Sequence, residues 1–292
     1  MRIVTYQAGA SPAPGIAIRR GADLVAVDPA RAGLPSSVEA ILAAGPAALD
    51  ALGRLAAHGT LLDEDEIHFL PTIMRPGKVI CVGLNYADHI AESPYPRPTY
   101  PTVFPRYASS LVGHRAPIIR PQCSRELDWE GELVAVVGRR GRHIPRDRAL
   151  EWIAGYAAFN ESSIRDYQFK TPQWAVGKNF DGTGAFGPEL VTADELPLGA
   201  SGLRIETRLN GTTMQCSNTG NLLFDVATIL STISECMTFE PGDLIATGTP
   251  EGVGLFRSPP LFMKHGDSVE VEIEGIGILQ NPVRDEILRD AR

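Results

Sequence analysis

The sequence predicts a β-rich α+β fold, and three observations carry that expectation. Short alternating or apolar runs bounded by Gly, Pro and Asp recur along the chain, and few are joined by helical patterns. The stretch 127–137, LDWEGELVAVV, turns apolar on both faces past Leu133, which describes a strand running into an interior. In LRIETRLNGTTMQCS, Asn210-Gly211 stands between alternating residues and reads as a two-residue hairpin turn.

Taken in order, RIVTYQ, GIAIRR and DLVAVD are short strands. Ser36 or Ser37 caps a helix reaching to roughly residue 57, interrupted at Gly45-Pro46. LDEDE is a polar break. Pro71 and Pro76 then bracket a linker before the strand KVICVG. The chain is therefore expected to divide into a small N-terminal domain, residues 1–72, and a larger domain, residues 73–292. NYADHIAE is a short helix. In SPYPRPTYPTVFPRY, Pro94, Pro96, Pro98, Pro101 and Pro105 argue against regular structure and mark a functional loop of the lid kind. After the 127–137 strand come a helix near 146–152, a strand near 154–160 and the Asn-Gly hairpin. LLFDVATILSTISECM has helical periodicity, with Leu222, Val226, Ile229, Leu230 and Ile233 on one face, and DSVEVEIEGIGILQNPV closes the chain as a hairpin.

With 292 residues at 43% hydrophobic, the chain can bury a substantial core in one or two domains. A net charge of −8 and a pI near 5.3 count against a nucleic-acid partner, which would require a basic surface. Arg139, Arg140 and Arg142 form a small cluster that reads as a solvated turn. No apolar run approaches the roughly 18 residues of a membrane helix, and MRIVTYQAGA lacks the apolar core of a signal peptide. Cys81, Cys123, Cys216 and Cys236 are widely spaced without a CxxC. The expectation is a soluble cytoplasmic protein with reduced thiols and no membrane partner.

Several motifs bear on chemistry. GTGAFG matches a dinucleotide fingerprint literally through Gly182, Gly184 and Gly187, but Pro188 and the strand-like ELVT follow where a helix is required. It reads instead as backbone turning tightly near something. Glu130 and Glu132 share a strand face. They are either a solvated pair bridged to residues such as Arg120 or Arg125, or converging carboxylates that need a proton or a cation between them. Mg²⁺ or Mn²⁺ suits them better than Zn²⁺, because no His or Cys lies nearby in sequence, and Glu161 is a candidate third oxygen ligand. His89 and Glu92, three apart on a short helix, make either a surface pair or an imidazole oriented for proton abstraction. Lys178, among Trp174, Val176 and Phe180, either snorkels at a surface or aims into a site.

KVICVGLNYADHIAE, LDWEGELVAVVG, NESSIRDYQ, QWAVGKNF, LRIETRLNGTTMQ, DLIATGTPEGVG and HGDSVEVEIEGIG occur in this order between about Lys78 and Pro282. Together they resemble the fumarylacetoacetate hydrolase family, whose members act mainly on small keto acids and diketones. The resemblance implies a mixed β-sandwich roll with a smaller N-terminal domain, assembled as a homodimer. It also implies a divalent cation, Mg²⁺ or Mn²⁺ with Ca²⁺ as a further candidate, on Glu130, Glu132 and Glu161. The family's usual residue at the last position is Asp. By the same resemblance, His89 and Glu92 activate water and Lys178 stabilises an oxyanion, while Arg165, Gln168 and Thr249 hold a small 2-oxo or diketo acid substrate. Arg106 stands where many members carry a lysine, and its guanidinium is suited to a substrate carboxylate.

The implied activity is metal-dependent hydrolysis of a carbon–carbon bond in a β-diketone or acylpyruvate-like 2-oxo acid. The alternative at the same site is an isomerase or decarboxylase of a 2-hydroxymuconate-type intermediate of aromatic degradation. A non-catalytic binder of small acids is a third reading, against which the dyad, glutamates and lysine together count.

Overall fold

The computed structural model describes residues 1–9 and 13–288. Among these, one mixed sheet runs in the order Thr60–Leu62, Asp23–Val27, Gly15–Arg20, Arg2–Ala8, Gly184–Thr192, Ile153–Glu161, Gly131–Val137, Leu244–Ala246, Val79–Gly83, Thr102–Arg106. Ile67–Phe69 and Leu111–Val112 pair onto it from the side. A five-stranded sheet carries the Arg204–Leu209 and Thr212–Asn218 hairpin next to the Ser268–Ile273 and Gly277–Asp285 hairpin. The β-rich class is thus observed.

The central strand Gly131–Val137 is buried along its whole length because both of its faces are covered. Leu133, Ala135 and Val137 pack toward Val269, Val271 and Ile273 of the five-stranded sheet. Val134 and Val136 pack on the opposite side, in a cluster with Ile41, Leu42 and Leu52 from the two N-terminal helices. Each buried valine, leucine or isoleucine of this kind contributes roughly 1.5–3 kcal/mol. The apolar run past Leu133 is the signature of a strand held between two layers.

Local signals explain most boundaries. Ser37 caps Val38–Ala43 by accepting from the Ala40 N–H, and Pro46 opens Pro46–Leu55 after Gly45, whose φ of +89° breaks the helix. Asn210 and Gly211 take φ of +51° and +78°, which a two-residue hairpin turn of this kind demands at both positions.

Other expectations are corrected. Proline does not exclude regular structure throughout 93–107: Thr102–Arg106 is an edge strand with Pro105 opposite Ile80. An edge tolerates proline where its missing N–H faces away from the ladder. The polar LDEDE joins two strands too short to show a period, Thr60–Leu62 and Ile67–Phe69. Residues 146–152 form a 3₁₀ helix, Arg146–Trp152. Leu222 lies outside its expected helix, because Asp225 accepts from the Thr228 N–H and starts the helix at Val226. Among the described residues, no helix is long and apolar enough to cross a membrane.

That cap supplies a stability prediction. Asp225 Oδ1 lies 2.7 Å from the Thr228 nitrogen, and its ion pair with Arg146 is exposed and adds little. Asp225→Ala should therefore lower unfolding free energy by about 1 kcal/mol, seen as a shifted urea midpoint at unchanged slope. An unshifted midpoint would show that the cap contributes nothing.

Candidate active site

The strand expected over 127–137 is broken at Trp129–Glu130, between the short strand Leu127–Asp128 and Gly131–Val137. The break is pinned on several sides. The Glu130 N–H donates to Asn160 Oδ1 at 3.1 Å, and the Glu161 N–H donates to the Glu130 carbonyl at 2.8 Å. Asp128 accepts from the N–H groups of Trp129, Gly254 and Leu255 at 2.7–2.9 Å. The loop following Thr247–Pro250 is thereby fastened to the strand that presents the glutamates.

Glu130, Glu132 and Glu161 converge, with one carboxylate oxygen from each within 4.8 Å of the others, all three residues buried. Their surroundings differ. Glu132 accepts from the Gly248 N–H at 2.9 Å, at a position where φ is +105° and a Cβ would meet Asn85 and the Val82 carbonyl at under 3 Å, so only glycine fits. Glu130 meets Arg165 at 2.7 Å and Lys178 at 2.5 Å. Glu161 accepts from Lys178 through Oε2 at 3.1 Å, while its buried Oε1 has no hydrogen-bond donor.

Burial alone would raise the Glu130 carboxyl, but Lys178 and Arg165 prevail and hold it at about 2. Glu132 goes the other way: burial, then the charges of Glu161 and Glu130, push it well above the ordinary carboxylate range. Burial works to lower the Lys178 ammonium, yet Glu130 and Glu161 raise it and keep it cationic. The solvated pairing with Arg120 or Arg125 does not form; Arg120 instead binds Asp285.

His89 is buried on the Ala87–Glu92 helix, its Nδ1 2.7 Å from Glu92 Oε1. The other Glu92 oxygen accepts from the Gly252 N–H at 2.9 Å, so Glu92 is held through both oxygens and the His89–Glu92 contact leaves Nε2 uninvolved. His89, the three glutamates, Arg165, Gln168, Lys178 and Thr249 all line one cleft of about 450 Å³, walled by aromatic residues including Trp174 and Phe256. Glu92 stands behind His89, outside the lining.

Two expected substrate contacts are placed differently. Arg165 lines the cleft, but its guanidinium is engaged by Asp128, Glu130 and the Gln168 amide oxygen at 2.7–2.9 Å. Arg106 is outside the lining. It is buried behind Glu161, held by Ser110 Oγ, the Ser162 carbonyl and Thr183 Oγ1, with 3.8 Å to Glu161 Oε1. The glycine-rich GTGAFG serves this packing, since a Cβ on Gly184 would lie 2.8 Å from Arg106 Nε. Sequence reasoning missed Asp128, whose signal was available as an acidic residue next to the ExE pair.

The donor set fits a hard divalent cation. Asp128 and the three glutamates are four buried carboxylates against three buried cations, Arg106, Arg165 and Lys178. One negative charge is left over, and Glu161, one of the three converging carboxylates, has an oxygen, Oε1, with no hydrogen-bond donor.

Fold and site together define a class of sheet-built enzymes in which buried carboxylates able to hold a cation stand beside a hydrogen-bonded His–Glu pair. The model of the fumarylacetoacetate hydrolase C-terminal domain matches residues 78–284, and the chain belongs to the fumarylacetoacetate hydrolase family. It is 40% identical over 290 residues to the mitochondrial oxaloacetate tautomerase Fahd2a of Rattus norvegicus, covering 97% of this chain and 91% of that protein. Among solved structures, the fumarylacetoacetate hydrolase of psychrophilic Exiguobacterium antarcticum matches with a TM-score of 0.85 at 36% identity, covering 98% of this chain and all of that one. The 5-carboxymethyl-2-hydroxymuconate delta-isomerase of Mycobacterium smegmatis matches at 0.76 and 32% identity, covering 99% and 100%.

The raised Glu132 carboxyl has a measurable consequence. Burial and the charges of Glu161 and Glu130 favour its protonated form when no cation is bound, and coordination requires the carboxylate. Mg²⁺ binding should therefore release a proton, strengthen as pH rises toward that raised pKa and weaken as pH falls. Calorimetry in two buffers of different ionisation enthalpy reads this release. Equal heats in both buffers would rule it out.

Proposed function

We propose that this chain is a divalent-metal-dependent tautomerase of a small 2-oxo diacid of the oxaloacetate type. The reading rests on one observation: a relative that matches nearly the whole chain at 40% identity is named an oxaloacetate tautomerase. This favours the isomerase alternative over the hydrolase that the sequence put first.

A cation held by Glu130, Glu132 and Glu161 would supply Lewis-acid polarisation of a 2-oxo acid. The remaining work is done by side chains. Keto–enol exchange moves one proton between C3 and the enol oxygen, so no co-reactant is needed. His89 Nε2 carries that proton, and Glu92 stabilises the imidazolium that forms. Lys178 places a permanent positive charge beside the oxygen on which negative charge develops. Gln168 gives its amide oxygen to Arg165, so its NH₂ faces the substrate. Thr249 Oγ1 accepts from Gln215, which leaves its own proton to donate. Arg165 positions Glu130 and Gln168.

Carbon–carbon hydrolysis of an acylpyruvate is the second reading, favoured by the structural match to a protein named fumarylacetoacetate hydrolase. It differs in one respect: His89 takes its proton from water. With either reading we propose a homodimer, on the family resemblance, in a compartment that keeps the four unpaired cysteines reduced, the cytoplasm by the sequence expectation.

The test follows the decay of enol absorbance after the enol form of oxaloacetate is added to Mg²⁺- or Mn²⁺-loaded protein. The protein should accelerate the decay, a chelator should abolish the effect, and added metal should restore it. His89→Ala should lower the rate by about 10²–10⁴-fold while Mg²⁺ still binds. No acceleration by the loaded parent, together with cleavage of an acylpyruvate, would replace this reading with the hydrolase.

A further inference from the structure

Trp174 has no part in the chemistry above, yet its position is unusually constrained. It immediately precedes the Ala175–Lys178 helix that carries the site lysine. Its ring packs edge-on to Phe104 at 5.6 Å and to Tyr95 at 6.0 Å. The third side of the indole is backbone. The Val79–Gly83 strand ends in a glycine, and a Cβ there would come 2.4 Å from Trp174 Cζ3, so any larger residue would displace the ring.

The indole lines two spaces. One is the cleft holding the glutamates, His89 and Lys178. The other is a groove of about 1180 Å³ bordered by Thr102, Val103 and the segment 170–173. Tyr95, Phe104, Phe169 and Trp174 are common to both, and so form the wall between them. On the groove side, Lys170, Thr171 and Gln173 border the space that a longer chain would enter.

We infer that Trp174 sets the longest 2-oxo acid that the cleft accepts, a length limit imposed by an indole wedged against Gly83. The inference rests on the 2-oxo acid reading above. A short acid ends against the ring; a longer chain reaches the groove only once the ring is removed.

The experiment is calorimetric binding to Mg²⁺-loaded protein of straight-chain 2-oxo acids, from pyruvate through 2-oxobutyrate and 2-oxohexanoate to 2-oxooctanoate. In the parent, affinity should fall by about tenfold or more past a definite length, the scale on which pockets discriminate a methylene group. Trp174→Ala should move that cut-off to longer chains, and Trp174→Phe should move it less while keeping an aromatic wall if the alanine variant does not fold. A structural role alone would weaken all lengths equally. Parent binding that is indifferent to length, or a cut-off that neither variant moves, would overturn the inference while short acids still bind. Failure of even pyruvate to bind the parent would remove the 2-oxo acid reading and this inference with it.

Discussion

The constraint on which the rest depends is an excess of negative charge inside a sheet. Burying an ionised carboxylate costs on the order of several kcal/mol unless it is paired, and here four are buried together. Arg165 ties Asp128 to Glu130, Lys178 bridges Glu130 and Glu161, and Arg106 backs Glu161. Three cations leave one charge unbalanced. The raised Glu132 carboxyl eases this by favouring the protonated form, and a divalent cation would meet it otherwise. With such a cation in place the buried balance turns positive, which suits an acidic substrate.

The fold makes such a cluster tolerable because it supplies rigid backing on every side. Glu130 and Glu161 lie on neighbouring segments joined by the Glu161 N–H to Glu130 carbonyl bond. Glu132 is held by a backbone N–H that only a glycine at 248 can bring so close. Asp128 sits under all of this. Its two oxygens collect three backbone N–H groups and Arg165, so the strand, the 252–255 loop and the guanidinium move as one unit. Precision at the carboxylates therefore comes from backbone geometry more than from the carboxylates themselves.

How much of this was legible depended on the range over which each signal acts. The ExE pair announced itself within eleven residues, because charge followed by a two-faced apolar run is a local contradiction. The His89–Glu92 pair was likewise local, three apart on one helix. What sequence could not show was long-range. The Arg2–Ala8 strand pairs with Gly184–Thr192, so the N-terminal strands lengthen the main sheet, and no local pattern encodes that partner. Arg106 resembled a substrate contact, since a strand's period does not say which alternate face meets the site. Its burial behind Glu161 follows from pairing Thr102–Arg106 against Val79–Gly83 inside a stretch that prolines had marked as irregular. Asp128 went unremarked because its partners lie far along the chain, at 165 and 254–255.

The same separation bears on why one site can serve different reactions within a family. Tautomerisation and carbon–carbon hydrolysis both begin with a 2-oxo acid polarised at its oxygens, and both need a base poised beside it. On the proposed reading, the carboxylates, Lys178 and the His89–Glu92 dyad answer those shared needs. On that reading, the reactions differ in whether His89 meets a substrate proton or a water, and how much of the cleft the substrate fills would decide which. The walls decide this, and they come from segments at the margin of the sheet: the helix carrying His89, the prolines around Tyr95, and the turn leading to Trp174. On the proposed reading, charge sets the chemistry available at this site, and aromatic shape sets which part of it is used.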